Sequence, residues 1–127
     1  MKLKHVLVVA ALTLVMPAMS LAHAVEIGPN GGPVVNAAAG YHVEFVNKGA
    51  DLSFFLSDEG GKPIASQGAK GRALIQDQGE TQTVALTITD PNKLTGSLPQ
   101  PLEAGARVVL FAMMAYGYWI EAWFVTS

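Results

Sequence analysis

His42 and Glu44 are the residues best suited by type and spacing to do chemistry. Two positions apart on an extended strand, their side chains share one face, and imidazole beside carboxylate is half of a Zn(II), Cu(II) or Ni(II) site. A full centre needs more donors, from His23, Glu121, an aspartate or a partner. The same spacing also describes a solvated strand face with a local His–Glu attraction. Near the end, Met114 and Trp119 could present a thioether and an indole face to Cu(I), or pack sulfur against ring without any metal. Enzymatic signals are sparse: Ser53, Ser57, Ser66 and Ser97 lack a nucleophile-elbow context, and His42 is the one imidazole after residue 24. No catalytic residue is expected. Acidic turns such as Asp58-Glu59 lack the spacing of a calcium loop. The Gly28–Pro33 stretch has no strand–loop–helix context for phosphate and reads as an entry turn.

The elements that must position these residues are strands. Apolar residues recur at every second position in Tyr41, Val43, Phe45, in Leu52, Phe54, Leu56, and in Val84, Leu86, Ile88. Gly, Asn, Asp and Pro stand at the breaks, which describes antiparallel strands with one buried face. Hairpins are expected around 47–50 and 77–80, a short strand at 34–36, an edge strand at 62–64, one strand over 81–89 and a short one at 94–98. Residues 108–125 contain one charge, Glu121, and by length could span a membrane. Glu121, Gly117 and the β-branched and aromatic content favour instead two strands joined at Tyr116-Gly117, so no transmembrane segment is expected after the leader. A two-residue loop there pairs Met113 with Ile120 and Phe111 with Ala122. It also gathers Met114, Trp119, Glu121 and Trp123 on one face, and Met114, Trp119 and Trp123 become candidates for binding a partner.

Residues 1–24 have the three-part pattern of a cleaved signal peptide: Lys2 and Lys4, the apolar run from Val6 to Met16, then Pro17 and small residues. Cleavage after Ser20, Ala22 or Ala24 is compatible with the small-residue rule. The last leaves residues 25–127 as one domain; the first would leave His23 third, where amine, amides and imidazole could hold Cu(II). With residues 1–24 removed, ten acidic and six basic side chains remain, a net charge of −4. Mild acidity without a basic patch argues against nucleic acid. The absence of Cys excludes thiolate chemistry, and an exported chain without disulfides suits a bacterial periplasm.

The runs Gly28-Pro-Asn-Gly-Gly32, Gly40-Tyr-His-Val-Glu-Phe-Val46, Leu56-Ser-Asp58 with Gly61-Lys-Pro-Ile64, and Gly68-Ala-Lys-Gly71 resemble a small periplasmic module. It is similar to the amino-terminal region of adaptor subunits of heavy-metal efflux pumps and to related short standalone exported bacterial proteins. The likeness spans about Gly28 to Leu98. It implies an all-β, immunoglobulin-like antiparallel β-sandwich of about seven or eight strands and a role in metal handling beside an export system. In that family histidines often precede the Gly-Pro-Asn-Gly-Gly loop; here His23 does, with Val25-Glu26-Ile27 between. The leading expectation is a periplasmic metal-binding protein using His42, Glu44 and His23 for a divalent or copper ion, partnered by an efflux or other periplasmic protein. The alternative is a metal-free module that docks a protein through its aromatic C-terminal hairpin.

Overall fold

The computed structural model describes residues 25–127; the leader, its cleavage points and His23 lie outside the described residues. Ten strands follow one another: β1 (Glu26–Ile27), β2 (Pro33–Asn36), β3 (His42–Lys48), β4 (Asp51–Ser57), β5 (Lys70–Asp77), β6 (Glu80–Ala85), β7 (Thr87–Thr89), β8 (Lys93–Ser97), β9 (Arg107–Met113) and β10 (Trp119–Val125). They form two antiparallel sheets, ordered β1-β2-β3-β4-β8-β7 and β10-β9-β5-β6. The architecture is the expected all-β sandwich. The strand number exceeds seven or eight because the short β1 and β7 extend the edges of the first sheet.

Alternation builds the core. Val43 and Phe45 on β3, and Leu52, Phe54 and Leu56 on β4, turn inward and meet Ala73, Ile75, Val108, Leu110, Ile120 and Phe124 of the second sheet. The sheets are joined at an aromatic cluster, with Phe45 and Phe54 centroids 5.1 Å apart and Phe124 at 5.2 Å from Phe45. Asn92 fastens one end: its Nδ2 donates to the Leu56 carbonyl (2.9 Å) while the Leu56 N–H donates to the Asn92 carbonyl (2.8 Å).

Three expectations are corrected. The stretch 81–89 is two strands, because the chain leaves the second sheet after β6 and joins the first as β7. At the crossing the Leu86 N–H donates to the Gly71 carbonyl (3.0 Å), and Gly96 makes the room: a Cβ there would lie 2.9 Å from the Leu86 side chain. Ile88 keeps the inward face, opposite the buried Leu94 of β8, and is 38% exposed because β7 is the edge of the first sheet. Residues 62–64 make only an isolated bridge, Ser57 to Pro63, since proline has no N–H for a ladder.

The third concerns 108–125. It is a hairpin, and among the described residues no helix is long and apolar enough to cross a membrane. Its register is one residue from the expected one: Met113 faces Trp119, Ala112 faces Ile120 and Phe111 faces Glu121. The turn holds three residues, 115–117, closed by Met114 N–H to the Tyr118 carbonyl (2.8 Å) and Gly117 N–H to the Met114 carbonyl (2.9 Å). Gly117 takes φ +88°, the left-handed position that ends a three-residue hairpin loop.

Candidate functional site

Two surfaces compete. The first is the outer face of β3. Val43 and Phe45 are buried inward, so His42 and Glu44 share the outer face, as their spacing predicts. Their environments differ. Glu44 is only 4% exposed, because the loop of residues 28–32 folds over it. Its Oε2 accepts the N–H groups of Asn30 (2.9 Å) and Gly32 (2.8 Å), and its Oε1 accepts Asn30 Nδ2 (3.1 Å). The loop closes on itself by Gly28 N–H to the Gly32 carbonyl (2.8 Å). Glycine is required at two positions by close approach. A Cβ on Gly28 would lie 2.5 Å from the Glu44 carboxylate, and one on Gly32 would lie 2.0 Å from the Phe45 carbonyl oxygen.

Glu44 is therefore the acceptor that a glycine-rich loop needs for its backbone donors, a buried clamp instead of a solvated ligand. His42 is half-buried beside it and opens, with Glu26 and Glu59, onto a cleft of about 520 Å³. Among the described residues no group of three or more His, Cys, Asp or Glu side chains is arranged to hold a metal ion. Of the expected ligands the described residues bring together His42 and Glu44, one imidazole beside a carboxylate that already accepts three hydrogen bonds.

The second surface is the outer face of the second sheet. The observed register separates the residues expected to act together. Met114 is 3% exposed inside the core, with Leu110, Ala112 and Ile120, and cannot touch a partner. Trp119 and Trp123 stand outside, 59% and 60% exposed. The one-residue slip is the cause, because it moves every side chain of a strand to the opposite face. Their neighbours follow from the ladder. Trp119 stands opposite Met113, which faces Lys70; Glu121 stands opposite Phe111, which faces Arg72; Trp123 stands opposite Val109, which faces Leu74. The Arg72 guanidinium lies 5.4 Å from the Phe111 ring centroid, and the Trp123 indole N–H donates to the Glu121 carboxylate. Lys70, Arg72, Phe111, Met113 and Trp119 line a shallow depression of about 360 Å³. Tyr116 and Tyr118 extend the exposed aromatic surface at the turn.

Behind that turn lies Tyr41, buried immediately before β3. Burial raises its phenol above the ordinary value, and the phenols of Tyr118 and Tyr116 add to the effect. Sequence reasoning missed Phe111 and Met113 as members of this face. The signal that would have found them is the left-handed glycine at 117, which makes an odd-length loop and sets the phase of both strands.

No family model, curated protein or solved structure matches this chain.

Proposed function

We propose that the chain is an exported β-sandwich interaction module, working in the periplasm, that docks a protein partner through the outer face of the β9–β10 hairpin. The observation that supports this reading is the pair Trp119 and Trp123, more than half exposed on a strand whose only charge is Glu121. Exposed tryptophans next to Met113, Phe111 and an arginine have the composition of binding hot spots, which favour Trp, Tyr and Arg. Contiguous aromatic surface of this kind is costly to leave in water without a use. The test is photo-cross-linking from position 119 or 123 in cells that export the protein. Adducts of defined mass are expected from both positions and not from an exposed control position such as Lys62. Absence of adducts from 119 and 123 would refute the docking reading.

A metal-handling role beside an export system, as the efflux-adaptor resemblance implies, is the second reading. It is favoured by His42 opening with Glu26 and Glu59 onto one cleft, and it would draw on His23 if cleavage spares it. Titration with Cu(II) and Zn(II) tests it: sub-micromolar binding that disappears in His42→Ala supports the role, and no binding removes it.

A further inference from the structure

The free edge of β10 carries the argument beyond the aromatic face. Tyr118 and Thr126 each exchange backbone hydrogen bonds with the β9 side, through Met114 N–H to Tyr118 O and Thr126 N–H to Ala106 O. Backbone direction alternates along a strand, so Trp119, Glu121, Trp123 and Val125 point their N–H and C=O groups away from β9. None of these groups has a backbone partner among the described residues. The other edges are guarded differently: β1 has two residues, β7 has three, and β6 is the polar run Glu-Thr-Gln-Thr-Val-Ala. Among the described residues β10 alone is a seven-residue edge rich in aromatic and aliphatic residues, without Pro or Lys.

The first sheet shows what is missing beside it. β10 packs over β2, and β1 lies one strand further out. Glu26 pairs with Val34, which pairs with the outward-facing Glu44, so by alternation Ile27 on β1, and Val25 two residues before it, are directed to the interior side of the sandwich. They are nevertheless 61% and 63% exposed, because among the described residues the second sheet ends at β10 and no residue covers them. Among these residues the second sheet is one strand short at this edge.

We propose that the β10 edge accepts one extended strand from another polypeptide, which completes the second sheet and covers Val25 and Ile27; this rests on the docking reading. The strand's chemistry follows from the slot. Side chains facing inward are aliphatic, to meet Val25 and Ile27. One outward position opposite Glu121 carries Lys or Arg, and its outward neighbours contact Trp119 and Trp123. The occupant is not a second copy. Antiparallel pairing of two β10 edges is related by a two-fold axis normal to the sheet, which would bring both first sheets to one side and put the partner's β2 where β1 already lies.

The experiment uses the purified exported protein and a synthetic nine-residue peptide that alternates valine with threonine and has lysine in place of its central threonine. Saturable binding is expected, with slowed amide exchange at Trp119, Glu121, Trp123 and Val125. N-methylation of the peptide's edge-facing amides should abolish it. Glu121→Lys should weaken the lysine peptide about two- to five-fold and favour a glutamate peptide by a similar factor, the range for cross-strand charge pairs. No binding up to about 1 mM peptide, or binding that survives N-methylation, overturns the proposal. So does protection of β10 that depends on protein concentration alone, or that comes from the chain's own residues 1–24. If cross-links form at position 123 but the peptide leaves β10 unprotected, the edge proposal fails while the docking face stands. If no cross-links form, the docking reading itself fails.

Discussion

Substituting Glu44 by alanine removes both oxygens that hold the 28–32 loop. The magnitude follows from where each donor is left. The Gly32 N–H belongs to a buried residue and has no replacement acceptor, at a cost of about 1–3 kcal/mol for an unsatisfied buried donor. Asn30 is exposed, so water can take over its two bonds, and each loss costs roughly 0.5–1 kcal/mol. The sum is about 2–5 kcal/mol, a large part of the roughly 5–15 kcal/mol that stabilises a domain. Glu44→Gln keeps one oxygen for the two backbone amides, and the Asn30 amide can turn to meet the new NH2, so about 1 kcal/mol is expected. Urea unfolding should show the alanine midpoint lowered by roughly 1–2.5 M for a slope near 2 kcal/mol/M. Amides of residues 28–32 should exchange faster in both variants. A solvated metal ligand behaves otherwise, since surface substitutions stay within about 0.5 kcal/mol. If both variants unfold with the wild type while Cu(II) or Zn(II) affinity falls, the clamp is refuted and Glu44 is a ligand.

Gly32→Ala forces a Cβ against the Phe45 carbonyl, a backbone atom that no rotamer can move. A loss of about 1–3 kcal/mol is expected, read as a thermal midpoint lower by at least ~4 °C; an unchanged midpoint contradicts the close approach. Tyr41 has its phenol pKa raised by burial and by Tyr118 and Tyr116. Unfolded tyrosine ionises first, so this stability is complete below about pH 10 and is lost as pH rises through the folded value. Tyr41→Phe should flatten the fall in urea midpoint above pH 10, and parallel curves would sink the assignment. Trp119→Ser and Trp123→Ser should unfold within about 0.5 kcal/mol of wild type yet weaken the strand peptide; a larger stability loss would mean that the two rings are structural.

Period-two spacing was enough to find β3 and β4, because each buries one face against the other sheet and shows the alternation openly. It failed where one run serves two sheets. Val84, Leu86 and Ile88 keep the period in sequence, but the chain crosses at Leu86, and the cue is Gly96 ten residues later, which no local pattern connects to it. The outer face of β3 was legible in direction and not in burial. Spacing puts His42 and Glu44 on one side; it does not reveal that a loop 12 to 14 residues earlier covers only Glu44. An unpaired acidic residue on a strand following a Gly-Gly loop poses an accounting question, namely which acceptor satisfies the loop's amides, and that question leads to Glu44.

The hairpin shows how much functional meaning depends on one residue of loop length. With a two-residue turn Met114 would join Trp119 outside, and a soft metal site could be entertained. With the three-residue turn closed by Gly117, Met114 enters the core, Met113 replaces it opposite Trp119, and Phe111 comes out above Glu121. The same phase fixes the backbone: the residues whose side chains form the aromatic face are those whose amides point to the open edge. Side-chain recognition and strand pairing thus fall on the same four positions, 119, 121, 123 and 125. A partner strand reaches both together, and substitutions at these positions should weaken binding by more than their separate effects predict.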